Sequence, residues 1–151
     1  MERRVKEDIF PELAMVYLSR NYPQRTNNKY YLEQTADTTY YEAKFSQFQD
    51  KYSVKFTKQG DLYDVEKTIT KNQIPAEVIK KIDLRLDDDF RSYEIQKIQL
   101  RDFKSQQQYE LVVRGRTPKS IRDYEYKFGE NGKFLEKLQI RDRSDDILFL
   151  D

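Results

Sequence analysis

The sequence Tyr41-Glu42-Ala43-Lys44-Phe45, followed by Val54-Lys55-Phe56 and Gly60-Asp61-Leu62, has a counterpart further along the chain. The second copy consists of Tyr109-Glu110-Leu111-Val112-Val113, Tyr126-Lys127-Phe128 and Gly132-Lys133-Phe134. Apolar residues alternate with charged ones in both copies, which is typical of strands with one buried face. Each glycine marks a turn between two strands. The pattern therefore predicts an antiparallel meander that the chain contains twice.

A helical pattern precedes each copy of the meander. Phe10-Pro11 and Ile74-Pro75 each open a stretch in which apolar residues recur every three or four positions. Proline suits the first position of a helix because its missing N–H is not needed there. We expect the first helix to end at Tyr22-Pro23. The second should end and fray at Asp87-Asp88-Asp89, since acids at a C-terminus oppose the helix dipole. The two apolar stripes are Ala14, Met15, Leu18 and Tyr22, and Val78, Ile79, Ile82 and Leu86.

Four strands are predicted after each helix. The apolar positions change parity between Ile95 and Ile98, which predicts a β-bulge. Asn131-Gly132 is the favoured pair of a type I′ turn. The predicted fold class is α+β, in which tandem α-β4 repeats form one antiparallel sheet of about eight strands with two helices packed on one face. The strands span 29–35, 39–48, 52–58, 62–69, 92–103, 107–114, 121–128 and 133–140.

These elements predict a single domain over residues 1–151. It consists of two repeats, roughly 10–70 and 74–141, and a C-terminal apolar tail over 144–151.

The composition narrows the class of protein. The 151 residues carry a formal net charge of +1, which argues against a nucleic-acid binder. No stretch is long and apolar enough to predict a transmembrane segment. The chain contains neither Cys nor His, which removes thiol nucleophiles, imidazole bases and most zinc chemistry. The sequence therefore indicates no catalytic residue, no cofactor and no metal ligand.

The repeated pattern resembles the PepSY-like family, which groups β-lactamase-inhibitor-like proteins of Bacteroidetes. The resemblance covers roughly residues 10–141 in both halves. It implies a tandem α-β4 fold with an open sheet face, secretion or a periplasmic location, and no assigned activity. Family members often carry a tryptophan after the first helix, where this chain has Tyr30-Tyr31-Leu32. No signal peptide is visible at Met1-Glu2-Arg3-Arg4-Val5. The residues that carry the resemblance are 11–23, 41–45, 54–60, 75–82, 93–98, 109–113 and 126–132.

The alternate residues of the meander strands are the candidate partner-binding residues. Strand parity places them on the sheet face away from the predicted core, and tyrosine and arginine are typical of protein-binding surfaces. The competing interpretation is a solvated face held by cross-strand ion pairs. The candidates are Tyr40, Glu42, Lys44, Lys55, Glu110, Val112, Arg114, Glu125 and Lys127.

Two groups of acids have weaker claims to a function. Asp87-Asp88-Asp89 supplies the oxygen ligands that calcium prefers, but neither the spacing nor the glycine of a calcium loop is present. Glu42 and Glu110 occupy equivalent repeat positions and would suit acid–base chemistry if they lay close together. Ion pairing with neighbouring lysines and arginines is the simpler expectation for both glutamates, and the chain is not expected to be an enzyme.

The sequence favours a non-catalytic binding or inhibitor-like module that docks an unidentified protein or peptide on the open sheet face. The alternative is a structural or assembly protein that associates through its sheet edges or through the apolar tail Ile147-Leu148-Phe149-Leu150. That tail either packs on its own sheet edge or helices, or contributes to a dimer. We expect a monomer or a weak dimer.

Overall fold

A computed structural model describes residues 1–140 of the chain. These residues form an α+β fold in which the strands lie in one sheet and follow one another in chain order. The strands are β1 (Glu2–Val5), β2 (Thr26–Gln34), β3 (Thr39–Gln47), β4 (Asp50–Thr57), β5 (Leu62–Ile69), β6 (Ser92–Phe103), β7 (Gln106–Arg116), β8 (Ile121–Gly129) and β9 (Phe134–Gln139). The helices are α1 (Glu12–Asn21) and α2 (Ala76–Asp89), with short 3-10 helices at Glu7–Ile9 and Lys71–Gln73.

The predicted fold class is confirmed, and the described residues add a ninth strand to the eight expected. β1 pairs antiparallel with β2, and Val5 lies opposite Tyr30. Its sequence Glu2-Arg3-Arg4-Val5 has a single apolar residue, which is buried while the other three are exposed. Four residues with one apolar side chain give no measurable periodicity, and this is why the pattern did not predict the strand.

Cα proximity divides the chain into two compact units, each with its own core. Unit 1 comprises Met1–Thr68 together with Arg101–Ser105, and unit 2 comprises Ile69–Leu100 and the residues from Gln106 onward. In unit 1, α1 packs on one face of β2–β4, and its Ala14 and Leu18 are fully buried. Opposite them lie Val54 and Phe56, also fully buried. The stripe predicted for α1 is therefore its core face.

Unit 2 repeats this packing with a longer helix. Val78, Ile82 and Leu86 of α2 pack on apolar residues of β7 and β8. The helix continues through Asp89, whereas fraying was expected there. The Asp89 carboxylate accepts hydrogen bonds from the Tyr126 hydroxyl at 2.7 Å and from Arg85 Nε at 3.0 Å. These contacts satisfy the last acid of the helix and offset its unfavourable interaction with the helix dipole.

The turns differ from the prediction in one respect. Gly132 has φ +87°, but Asn131 does not have a positive φ, so Asn131-Gly132 is not a type I′ pair. Gly60 in unit 1 has φ +95°, and each glycine ends a three-residue loop closed by the same pair of backbone hydrogen bonds. The two-residue turns with two positive φ values are instead Phe48-Gln49 and Lys104-Ser105.

The two loop glycines also let the helices approach the hairpins. A Cβ added at Gly60 would lie 2.9 Å from Pro11 Cβ and 3.2 Å from the backbone nitrogen of Ala14. A Cβ added at Gly132 would lie 3.0 Å from Lys81 Cδ, which a side-chain rotation can move, and 3.2 Å from Lys81 Cβ, which it cannot.

We expect Gly60→Ala to destabilise the protein more than Gly132→Ala. Both substitutions place a side chain in the left-handed region, at a cost of about 1–2 kcal/mol. At Gly60 the closest atom, 2.9 Å away, is fixed by the backbone at the helix start, whereas at Gly132 the closest atom is a mobile side-chain carbon and the first fixed atom lies at 3.2 Å. Urea unfolding of the two variants measures the difference. Equal losses of unfolding free energy would show that the contact with α1 adds nothing to the backbone cost.

Candidate partner-binding face

The open face of unit 1 arises from the alternation of β3. Ala43 and Phe45 belong to the core beneath α1, so Tyr40, Glu42 and Lys44 point to the opposite face. Glu42 lies directly opposite Lys55 on β4, and Tyr40 lies opposite Thr57. The four predicted residues of this unit therefore occupy adjacent positions on one face.

Three aromatic rings form a continuous surface on this face. The ring centroids of Tyr40 and Tyr63 are 4.6 Å apart, and those of Tyr63 and Phe103 are 5.0 Å apart. All three side chains are half-buried. We call Tyr40, Tyr63 and Phe103 the aromatic strip. Exposed aromatic area of this kind is enriched at protein interfaces.

A β-bulge directs Tyr63 to the open face. Lys55 pairs with Asp64 and Phe56 pairs with Leu62, so Tyr63 is the extra residue of β5. A bulge commonly redirects a side chain in this way. A hydrogen bond with Tyr40 raises the pKa of the Tyr63 hydroxyl, with a smaller contribution from burial. The bulge thus brings the ring of Tyr63 against that of Tyr40 on the open face.

Cations border the strip and contact its rings. Lys55 Nζ lies 5.5 Å from the centroid of Tyr40, and the Arg101 guanidinium lies 4.9 Å from that of Phe103. Lys55 also pairs with Glu33 at 3.0 Å. Burial works against the charge of Lys55, but the hydrogen bond and charge of Glu33 outweigh it and raise the pKa of Lys55. Lys55 therefore stays charged at neutral pH while it packs on an aromatic ring.

Two carboxylates are buried on the open face, the face to which strand parity assigned Glu42. Glu42 is only 8% exposed and lies 3.3 Å from Lys44 Nζ. Asp64 is only 5% exposed and lies 3.0 Å from Arg101 Nη2. Each acid is shielded by the longer cationic side chain above it. A docked partner would therefore contact the lysine and arginine side chains and the rings more than these acids.

The five candidate residues of unit 2 lie in register on β7 and β8. Glu110 is opposite Lys127, and Val112 is opposite Glu125. Arg114 Nε and Nη2 donate to the two oxygens of Asp123 at 2.9 and 3.2 Å. Lys127 Nζ lies 3.3 Å from Glu136. Cross-strand ion pairs thus engage Arg114 and Lys127, whereas unit 1 adds half-buried aromatic rings to its ion pairs.

Two of the acids considered for chemistry have cationic or hydroxyl partners. Glu42 is held by Lys44, and Asp89 by Tyr126, Arg85 and Lys137. Within residues 1–140, no group of three or more acids lies close enough to hold a metal ion. No helix in the same range is long and apolar enough to cross a membrane. The tail residues Ile147-Leu148-Phe149-Leu150 lie outside the described residues.

Sequence comparisons give no match, since neither a family model nor a curated protein matches the chain. Solved structures with the same fold include a BLIP-like protein from Bacteroides fragilis, with 15% identity and a TM-score of 0.67 over 88% of each chain. A DUF2874 family protein from Bacteroides ovatus has 15% identity and a TM-score of 0.69, covering 86% of this chain and 87% of that one.

A third similar structure is a proposed periplasmic protein from Bacteroides eggerthii. It has 20% identity and a TM-score of 0.68, covering 87% of this chain and 89% of that one. At these identities the similarity establishes the fold, and function must be argued from the site. The residues that the structure describes are thus an α+β protein with an open antiparallel sheet and two helices. More particularly, its fold is similar to those of BLIP-like and DUF2874 proteins from Bacteroides.

Proposed function

We propose that the chain is a non-catalytic binding or inhibitor-like module that docks a protein or a peptide on the open face of its sheet. The observation that carries the proposal is the aromatic strip of unit 1. Tyr40, Tyr63 and Phe103 present apolar ring area on a face that does not contribute to the core around α1. Such rings cost little conformational entropy when they are buried in an interface, and they are typical of binding hot spots.

The ion pairs of the cations beside the strip indicate which side chains of a partner would bind here. Lys55 and Arg101 already pair with Glu33 and Asp64, so a docked chain gains little from a new ion pair with either. The partner therefore gains most from apolar or aromatic side chains placed on the rings, while its polar backbone contacts the surrounding charged side chains.

The assignment to the PepSY-like family and a location outside the cytoplasm belong to the same proposal. Their support is the repeated pattern of the sequence together with the fold shared with Bacteroides proteins, one of which is a proposed periplasmic protein.

The test is affinity capture from a cell-envelope fraction, followed by titration of the purified partner. In the variant Tyr40→Ala with Phe103→Ala, we expect affinity to fall by about 30-fold or more, because truncating a hot-spot residue costs about 2 kcal/mol or more. The matched control is Phe48→Ala, which removes a 77% exposed aromatic side chain at the β3–β4 turn of the same unit. The control should bind as the parent chain does.

Equal affinity of the parent chain and the strip variant would contradict the proposal. A loss of affinity in the Phe48 variant alone would show that the partner binds at the β3–β4 turn. Circular dichroism of each variant separates lost binding from lost folding.

A further inference from the structure

The outer face of α1 carries exposed apolar side chains, although the helix already buries an apolar face in the core of unit 1. Ala14 and Leu18 form that buried face. Leu13 is 59% exposed and Val16 is 40% exposed, and their spacing of three residues makes them neighbours on the helix surface. Ile9, in the preceding 3-10 helix, is 47% exposed. We call Ile9, Leu13 and Val16 the outer stripe.

The second repeat has polar residues at the positions of the outer stripe. The two helices align at Pro11 and Pro75, each of which directly precedes its helix. In this alignment the stripe corresponds to Gln73, Glu77 and Lys80, and all three are exposed. Polar residues are the ordinary choice for a helix face in contact with water. The fold therefore does not require the outer stripe, and a group of exposed apolar residues is typical of a surface that binds another molecule.

The charges of α1 complement a second copy of the same helix. Glu12 lies in the first turn of α1 and Arg20 in its last turn, and both are exposed. Within residues 1–140, neither side chain has an ion pair. Two copies of α1 in antiparallel orientation would place the acid of each beside the base of the other, and their helix dipoles would also be opposed. A parallel pair would bring like charges together.

The spacing of these residues fixes where the two copies would meet. Val16 lies midway between Glu12 and Arg20 in the sequence, and residues four apart follow one another along a helix face. A two-fold axis beside Val16 therefore brings Glu12 level with Arg20 of the second copy. The same axis brings the valine and Leu13 of both helices into one apolar contact. One patch thus satisfies both sides of the contact, as a two-fold interface requires.

We propose that two copies of this chain associate through the outer stripe of α1, in antiparallel orientation about a two-fold axis beside Val16. The contact covers Leu13 of both copies and pairs Glu12 of each copy with Arg20 of the other. The patch is small, so the dimer belongs with transient interfaces, which bury less than about 1,200 Å². The contact leaves the aromatic strip free, and either proposal can fail without the other.

Analytical ultracentrifugation of the full chain over a wide concentration range tests the contact. The variant Leu13→Glu with Val16→Lys gives α1 the residues that α2 has at these positions. We expect its dissociation constant to rise about 10-fold or more, because both apolar side chains at the centre of the contact are lost. The matched control is Leu84→Lys, which removes an exposed leucine from α2 and should associate as the parent chain does.

A charge exchange tests the antiparallel orientation. Glu12→Arg places two arginines beside each other at both ends of the contact, and Arg20→Glu does the same with two glutamates. Each single variant should therefore associate more weakly than the parent chain. The double variant restores opposite charges and should recover the association. If it does not, the antiparallel contact is wrong.

NMR spectra of the ¹⁵N-enriched chain at several dilutions locate the contact. The amide shifts of residues 12–20 should change with concentration, in step with the dimer fraction. A parent chain that stays monomeric at every concentration would overturn the proposal, and so would a dimer that persists in the Leu13→Glu with Val16→Lys variant. Shifts of residues 12–20 that differ between the parent chain and the Leu84→Lys control would count against it too, as would shifts that do not change on dilution.

Discussion

Replacing Asp89 with alanine is expected to lower the free energy of unfolding by about 3 kcal/mol. The carboxylate accepts a hydrogen bond from Tyr126, whose side chain is fully buried, and another from Arg85. It also lies 3.6 Å from Lys137 Nζ. Its removal leaves a buried hydroxyl without an acceptor and two cations without their acid. Urea unfolding measures the loss.

Asp88→Ala is the matched control, since Asp88 is exposed one position earlier on the same helix. It should change stability by no more than about 0.5 kcal/mol. The double variant Asp89→Ala with Tyr126→Phe should lose less unfolding free energy than the sum of the losses in the two single variants, because both substitutions remove the same hydrogen bond. Additive losses, or equal losses for Asp88 and Asp89, would show that the carboxylate does not hold the end of α2.

The lowered pKa of the Asp89 carboxyl predicts that the stability of the protein falls in acid. Burial works against its charge, but the hydrogen bonds from Tyr126 and Arg85 outweigh it and lower the pKa of Asp89. A lowered pKa in the folded state contributes stability at pH values above the ordinary carboxyl pKa and loses it as the pH falls. The parent chain should therefore lose stability more steeply on acidification than the Asp89→Ala variant.

Alkaline pH is expected to unfold the protein as its tyrosines ionise. Burial raises the pKa of Tyr126 well above 10.0, and the hydrogen bond to Asp89 raises it further. Burial likewise raises the pKa of Tyr22 and of Tyr93, and Tyr93 is also hydrogen-bonded to Asp83. The folded state therefore holds these phenols neutral at pH values where the unfolded chain releases their protons.

The direction of this pH effect follows from the linkage between proton binding and folding. The stability that each neutral tyrosine contributes is fully present below the unfolded-state pKa of 10.0, and it is lost as the pH rises above that value. Each such tyrosine contributes a slope of about 1.4 kcal/mol per pH unit. Three of them should remove most of the stability of a domain within about two pH units.

Far-UV circular dichroism and tyrosinate absorbance, followed together, measure this transition. We expect the buried tyrosines to ionise only as the ellipticity is lost. Tyr93→Phe removes one titrating group and should make the alkaline loss of stability shallower. Complete tyrosinate formation near pH 10 with unchanged ellipticity would contradict the assignment of these hydroxyls to the folded interior.

The strands and helices followed from the sequence because their signals are local. Alternation with a period of two placed Ala43, Phe45, Leu111 and Val113 in the core, and Phe10-Pro11 and Ile74-Pro75 marked the helix starts within one or two residues. Prolines at 11 and 75 precede the first helical residue, so they cap the helices from outside. The parity change between Ile95 and Ile98 also agrees with the packing of both residues in unit 2.

The aromatic strip was only partly predictable. Tyr40 was identified because it alternates with the core residue Tyr41. Tyr63 was missed because a bulge places it on the open face, and a bulge cannot be located from an irregular strand without its partner. Phe103 was missed because it ends β6 and contacts Tyr63, which is 40 residues earlier. The burial of Glu42 was missed because parity assigns a face and says nothing of the side chains that cover it.

The most direct test of the open face as the docking surface is an NMR titration of the ¹⁵N-enriched chain with its captured partner. The account predicts that the amide shifts of β3 and β5 around Tyr40 and Tyr63, and those around Phe103, change together and saturate together. Residues of α1 should keep their shifts. Changes confined to α1, with none at the aromatic strip, would contradict the account.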